Sequence, residues 1–127
     1  MRYLFDHNFA PRHAATLRLH DIEAHPLRDI FPTAIKDVEW IPLLKETEWI
    51  IVTCDRHIQT RKAEAQALRE SGASAIFINA FFAHLPILKK SEWLLRHWAA
   101  IAAWVEAEPQ PFYCQIQQNG RIEHIKF

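Results

Sequence analysis

The sequence predicts an α/β fold: a short parallel sheet held between helices as a three-layer sandwich, with a small antiparallel hairpin near the C-terminal end. Three observations predict it. Strand-like and helix-like segments alternate from Arg2 onward, the order of a right-handed parallel α/β arrangement. Trp49-Ile50-Ile51-Val52-Thr53 is a continuous β-branched run, the composition of a strand buried on both faces. Asn119-Gly120 stands between the segments 112–117 and 121–126, and Asn-Gly between alternating segments is the strongest short hairpin signal.

The elements follow in order. Arg2 to Phe5 is short and apolar and runs into Asp6-His7-Asn8, as a buried strand ending in a loop would. Pro11 suits a first helical turn, and Ala14, Ala15, Leu17 and Leu19 continue a helix to about His20. Residues 22–27 form a weak strand that Pro26 confines to a sheet edge or a strand end. A helix starts at Asp37, which lies at or beside the N-cap, and Pro42 kinks it or moves its start to about residue 41. After the strand 49–53, Thr60 to Ser71 is a helix closed by Gly72, and Ala73 to Ile78 is the next strand. Ser91 to Glu106 is the longest helix, with one apolar stripe of Leu94, Trp98, Ile101, Ala102 and Val105 and a second of Trp93, Ala100 and Trp104. The second stripe belongs to the core or offers a surface for a homodimer or a protein partner. A single domain, 1–127, with its hairpin at about 112–126, accounts for the whole length.

Composition narrows the function. Lys+Arg and Asp+Glu balance at 15 each, so no global field draws the chain to a polyanion and any such partner needs a local patch. Eight histidines add conditional positive charge below neutral pH. The N-terminal residues resemble no secretion signal, and the apolar run Trp98 to Val105 falls far short of the roughly 20 residues of a bilayer span. A cytoplasmic protein without a membrane segment is expected. Cys54 and Cys114 form no C-x-x-C and read as two buried thiols. With only Gly72 and Gly120 present, the glycine-rich loops of nucleotide and dinucleotide enzymes are excluded.

Ligands of open parallel sheets bind beyond the carboxyl ends of the strands. Asp6 and Asp55 each follow a strand, and Asp37 opens a helix at the same edge. Taken singly, each is equally a turn former or a helix cap. Together, three ionised carboxylates on one rim need a counter-charge. A hard divalent cation, Mg²⁺ or Mn²⁺, is the simplest, and it suits phosphodiester hydrolysis.

Phe5-Asp6-His7-Asn8 with Pro11-Arg12, then Leu27-Arg28-Asp29, Lys36-Asp37-Val38-Glu39 and Val52-Thr53-Cys54-Asp55-Arg56 resemble the short PIN-like proteins related to VapC toxins. The resemblance covers roughly residues 3 to 80. It implies a PIN-like sandwich and a metal-dependent endoribonuclease, usually the toxin of a toxin–antitoxin pair, with RNA as substrate and an antitoxin as partner. On that resemblance Asp6, Asp37 and Asp55 hold the metal, supported by Asn8 and Asp29. Two departures stand out: Asp6-His7-Asn8 where relatives often have Asp-Glu-Asn, and His57 where they often have a further acid. As a substitute ligand, His57 would favour Mn²⁺.

Arg12, Lys36, Arg56, Arg61 and Lys62 lie near these acids in the chain and are candidate phosphate contacts. Arg61 and Lys62 are equally a solvated helix face. His13, His20, His84 and His97 are expected at the surface or at helix caps. A catalytically inactive PIN-like binding protein is the alternative to the nuclease. A phospho-accepting receiver would also place an Asp near position 55, but Asn79-Ala80 stands where it needs a hydroxyl, and a final parallel strand is expected to be missing.

Overall fold

The computed structural model describes residues 1–32 and 34–126. Strands β1 (Arg2–Phe5), β2 (Ala24–Pro26), β3 (Trp49–Thr53), β4 (Ser74–Ile78), β5 (Tyr113–Ile116) and β6 (Ile122–His124) form one sheet in the order β2-β1-β3-β4-β5-β6. Every pairing is parallel except the antiparallel β5–β6. The helices are α1 (Pro11–Arg18), α2 (Leu27–Ile30), α3 (Asp37–Trp40), α4 (His57–Thr60), α5 (Lys62–Ser71) and α6 (Ile87–Ala107), with 3-10 turns at Ile41–Leu44 and Ala80–His84.

Successive strand residues face opposite ways, and the sheet uses this to build two cores. Tyr3, Phe5, Ile50, Val52, Ile76, Ile78, Cys114 and Ile116 meet Ala14 and Leu17 of α1 and Leu94, Trp98, Ile101 and Val105 of α6. On the other face Leu4, Trp49, Ile51, Ala75 and Phe77 meet Leu27, Trp40, Ile41, Leu44, Ile58 and Leu68. Every residue of β3 and β4 is buried, as expected of central strands covered on both sides. The three-layer α/β sandwich read from the sequence is the observed fold.

Local boundaries follow backbone chemistry. Pro11 lies in the first turn of α1, where a missing N–H costs nothing. Gly72 ends α5 with φ of +70°, a conformation in which any Cβ is strained. β2 is shorter than expected, ending at Pro26 on the sheet edge. The segment from Asp37 passes from α-helix to 3-10 turn at Ile41, one residue before Pro42.

Asp37 does stand beside the N-cap, as the first helical residue; Lys36 takes the cap position, and its N–H donates to the Glu39 carboxylate at 3.0 Å. Several expectations are corrected. The longest helix begins at Ile87, directly after Pro86, rather than at Ser91. The hairpin is no appendage, because α6 returns the chain so that β5 pairs parallel to β4. The receiver's final parallel strand is therefore present, and that objection falls; the lack of a hydroxyl at Asn79-Ala80 stands. The two tryptophans of the second stripe of α6 are engaged within the chain, Trp93 donating its indole N–H to Gln118 O at 2.9 Å and Trp104 packing on Phe112 and His124, while Ala100 is exposed. His13 is buried among Phe9 and Phe82 instead of exposed. Burial, with Lys90 and Arg12 nearby, pushes it down to about 4, so it is a neutral core side chain.

Both cysteines are free, Cys114 buried and Cys54 partly so, and burial pushes each thiol up to about 12. Among the described residues no helix is long and apolar enough to cross a membrane.

Trp98 edges onto Tyr3 and lies against Phe5 beneath the β1 end of the sheet. Trp98→Ala should lose about 3 to 5 kcal/mol of unfolding free energy. Leu88→Ala, at a 69% exposed position, should change stability by less than about 0.5 kcal/mol. Urea denaturation of both variants checks the contrast.

Candidate functional site

β1 lies between β2 and β3, so the chain leaves β1 toward one side and later returns to its other side. The crevice beyond the carboxyl ends of β1 and β3 is the switch point at which open α/β sheets bind ligands. Asp6 and Asp55 stand there because both strands run out into polar residues at that end.

Thr53, fully buried at the end of β3, joins the two. Its hydroxyl donates to Asp6 Oδ2 and accepts the Asp55 N–H at 2.9 Å. Asp6 Oδ1 accepts the Asn8 N–H at 3.0 Å. With its amide turned to suit, Asn8 also donates to both Asp6 oxygens, at 3.1 and 3.0 Å. The Asp6 N–H in turn donates to Val52 O at 3.1 Å. A carboxylate only 4% exposed is thus given donors from the end of β3 and from the loop after β1.

Asp37 accepts the indole N–H of buried Trp40 at 2.9 Å, which fixes its side chain at the start of α3. Asp55 Oδ1 accepts the His57 N–H at 2.8 Å, and His57 Nδ1 lies 3.3 Å from the same oxygen. The ring therefore already pairs with one of the acids.

The three acids share a field. Burial pushes Asp6 up to about 7; repulsion from Asp37 and Asp55 adds to this, while hydrogen bonds from Thr53 and Asn8 oppose it. Burial likewise raises Asp37, with Asp55 and Glu64 raising it further and Trp40 and His7 acting against. Among the described residues, however, no three His, Cys, Asp or Glu side chains converge on one point where an ion would sit. The acids repel one another across the rim without forming a ready coordination shell. Their all-oxygen chemistry and uncompensated charge fit a hard divalent cation; their present spacing requires side-chain movement to gather round one.

The other candidates are scattered. Asp29 is exposed on α2 and has no hydrogen bond or ion pair to the rim acids among the described residues. Arg12 is exposed on α1 near His13. Lys36 precedes Asp37, and Arg56 follows Asp55; neither side chain is in an ion pair among the described residues, and the same holds for Lys62. Arg61 lies 4.0 Å from Glu64. Two contributors were not singled out from sequence. Thr53 appeared only as part of a motif, though its spacing to Asp55 was visible. Glu64, partly buried in the first turn of α5 and close enough to perturb Asp37, looked like an ordinary acid favouring a helix N-terminus.

A family model described as PIN like domain matches residues 1–80, which holds Asp6, Thr53, Asp55 and Glu64. No curated protein and no solved structure gives a significant match.

The Asp6 environment sets a pH dependence. An unfolded Asp releases its proton near 4, whereas folded Asp6 keeps it to about 7. Between those values the native state binds more protons than the unfolded one, so stability falls as pH rises from about 4 to 7 and levels off above. In metal-free buffer Asp6→Asn should flatten that fall and raise the melting temperature at pH 8 relative to the parent chain. Melting curves at pH 5 and 8 test this; an equal fall in both proteins would show that Asp6 does not titrate there.

Proposed function

We propose, since the chain belongs to the PIN-like domain family, that it is a metal-dependent endoribonuclease in which Asp6, Asp37 and Asp55 hold Mg²⁺ or Mn²⁺. The family fold is of nuclease type. The observation that carries the reading is the Asp6 carboxylate, supplied with donors by Thr53 and Asn8 yet raised by its burial and further by two neighbouring acids. Groups that disfavour one another's ionisation in this way cluster at functional sites.

A divalent ion bound there supplies Lewis acidity and an activated water for in-line attack on a phosphodiester. The chain's own residues prepare the place. Thr53 and Asn8 orient Asp6, Trp40 orients Asp37, and the His57 N–H orients Asp55. Glu64 adds a fourth negative group beside Asp37. Exposed Lys36 and Arg56 flank the acids and suit backbone phosphates of an RNA strand. His57, against Asp55, offers an imidazole nitrogen that tilts preference toward Mn²⁺. The resemblance to VapC-type toxins supports a role as the toxin of a toxin–antitoxin pair acting on cytoplasmic RNA.

A second reading rests on the same rim. The lack of three converging donors among the described residues, with His57 in place of a further acid, favours a non-cleaving protein that engages RNA or a protein partner.

Asp37→Asn keeps an oxygen for the Trp40 indole, so it should fold normally and yet lose at least about 100-fold of Mn²⁺-dependent RNA cleavage. Mn²⁺ should raise the melting temperature of the parent chain and leave Asp6→Asn unmoved. Because the ion competes with the Asp6 proton, apparent Mn²⁺ affinity should fall by up to about tenfold from pH 7 to pH 6. Metal-independent melting together with intact RNA would select the non-cleaving reading.

A further inference from the structure

Beside Asp55 a groove of about 360 Å³ opens at the carboxyl ends of β3, β4 and β5, floored by Phe77 and walled by Arg56, Gln59, Asn79 and Gln115. Its size is at the lower end of small-molecule sites, roughly 300 to 1,000 Å³. None of the acids' hydrogen bonds described above uses its amide walls.

Those amides are held in one orientation by a carboxylate outside the groove. Glu123 on β6 accepts from Gln115 Nε2 at 3.0 Å and from Gln117 Nε2 at 3.3 Å, and Arg121 Nε lies 3.2 Å from its other oxygen. These partners hold the Glu123 carboxyl below its ordinary range, so it stays ionised. An ionised carboxylate only accepts, which forces both glutamines to turn nitrogen toward it. Gln117 is left with its oxygen for Asn79, which donates Nδ2–H to it at 2.7 Å. The consequence runs one step further at each end: among the described residues Asn79 Oδ1 and Gln115 Oε1, the other ends of amides that line the groove, take part in no hydrogen bond. Two carbonyl oxygens are thereby left as acceptors on the groove that Asp55 also lines.

We infer that this groove receives one unpaired nucleobase of the RNA strand and selects a base carrying an exocyclic amino group over uracil, with Glu123 as the positioning residue. The inference rests on the nuclease reading for its substrate class and names the substrate feature read. An amino group carries two N–H donors and can satisfy both oxygens at once. Uracil offers one ring N–H flanked by carbonyl oxygens, which would face Asn79 Oδ1 or Gln115 Oε1 and set acceptor against acceptor. Arg56 on the groove wall is placed to take the adjoining phosphate.

Binding of fluorescein-labelled hexamers of oligoadenylate, oligocytidylate and oligouridylate, measured by anisotropy in chelator so that no cleavage occurs, tests the inference apart from the activity. The adenylate and cytidylate hexamers should bind at least fivefold tighter than the uridylate hexamer. Glu123→Gln frees the amides to flip and should bring the three affinities within about twofold. Gln115→Met, which removes one acceptor at nearly constant shape, should do the same should Glu123→Gln fold poorly. Equal affinities in the parent chain, or preference for uridylate, would overturn the groove's role even where Mn²⁺-dependent cleavage is found. A preference for the amino-bearing hexamers without any cleavage would keep the groove and remove the nuclease reading.

Discussion

A single hydroxyl ties the rim of this sheet together. Thr53 has one proton to donate and lone pairs to accept with, and it uses both: the proton goes to Asp6 at the end of β1 and the lone pair to the N–H of Asp55 beyond β3. The bond crosses between neighbouring parallel strands and is fully buried. An unpaired polar group at that depth costs free energy comparable to a lost hydrogen bond, so the two carboxylate-bearing loops are held in register by a contact that neither can give up cheaply. The remaining rim geometry, including the Asn8 and His57 contacts, follows from that register.

The rim also shows how burial and charge oppose each other. A carboxylate supplied with several donors would ordinarily ionise readily. Asp6 does the reverse because its desolvation and its acidic neighbours outweigh the donors. The fold therefore keeps, at the end of its central strands, a carboxyl whose ionised form is disfavoured despite its donors. Trp40 plays the parallel part for Asp37: its ring fills the core under α3 while its N–H reaches back to the acid, so packing and charge placement are one feature there.

Much of this was legible in the sequence for physical reasons. Short apolar or β-branched runs giving way to polar residues identify β1 and β3 and place Asp6 and Asp55 at one edge, and Gly72 and Asn119-Gly120 are positions where positive φ or a tight turn is needed. Local pattern does not say which neighbour a strand will pair with, so β5 read as half of an appended hairpin; its parallel partner β4 is reached only through the 21-residue helix α6. Asp37 was legible as a carboxylate at or beside a helix N-cap; that its side chain is held by the Trp40 indole, three residues on, shows only in three dimensions. Glu64 and buried His13 escaped for the same reason: each has an ordinary local explanation, and only the packing of distant segments gives it another.

The two outer strands of the sheet have a consequence for assembly. β2 is three residues long and ends in Pro26, which has no N–H to offer, and β6 is three residues long and carries Glu123 and His124. Short, proline-bearing or charged borders are poor templates for adding a strand from another molecule. The sheet is thus closed to lengthwise growth, and a companion chain would have to seat itself on the helical layers or across the acidic end.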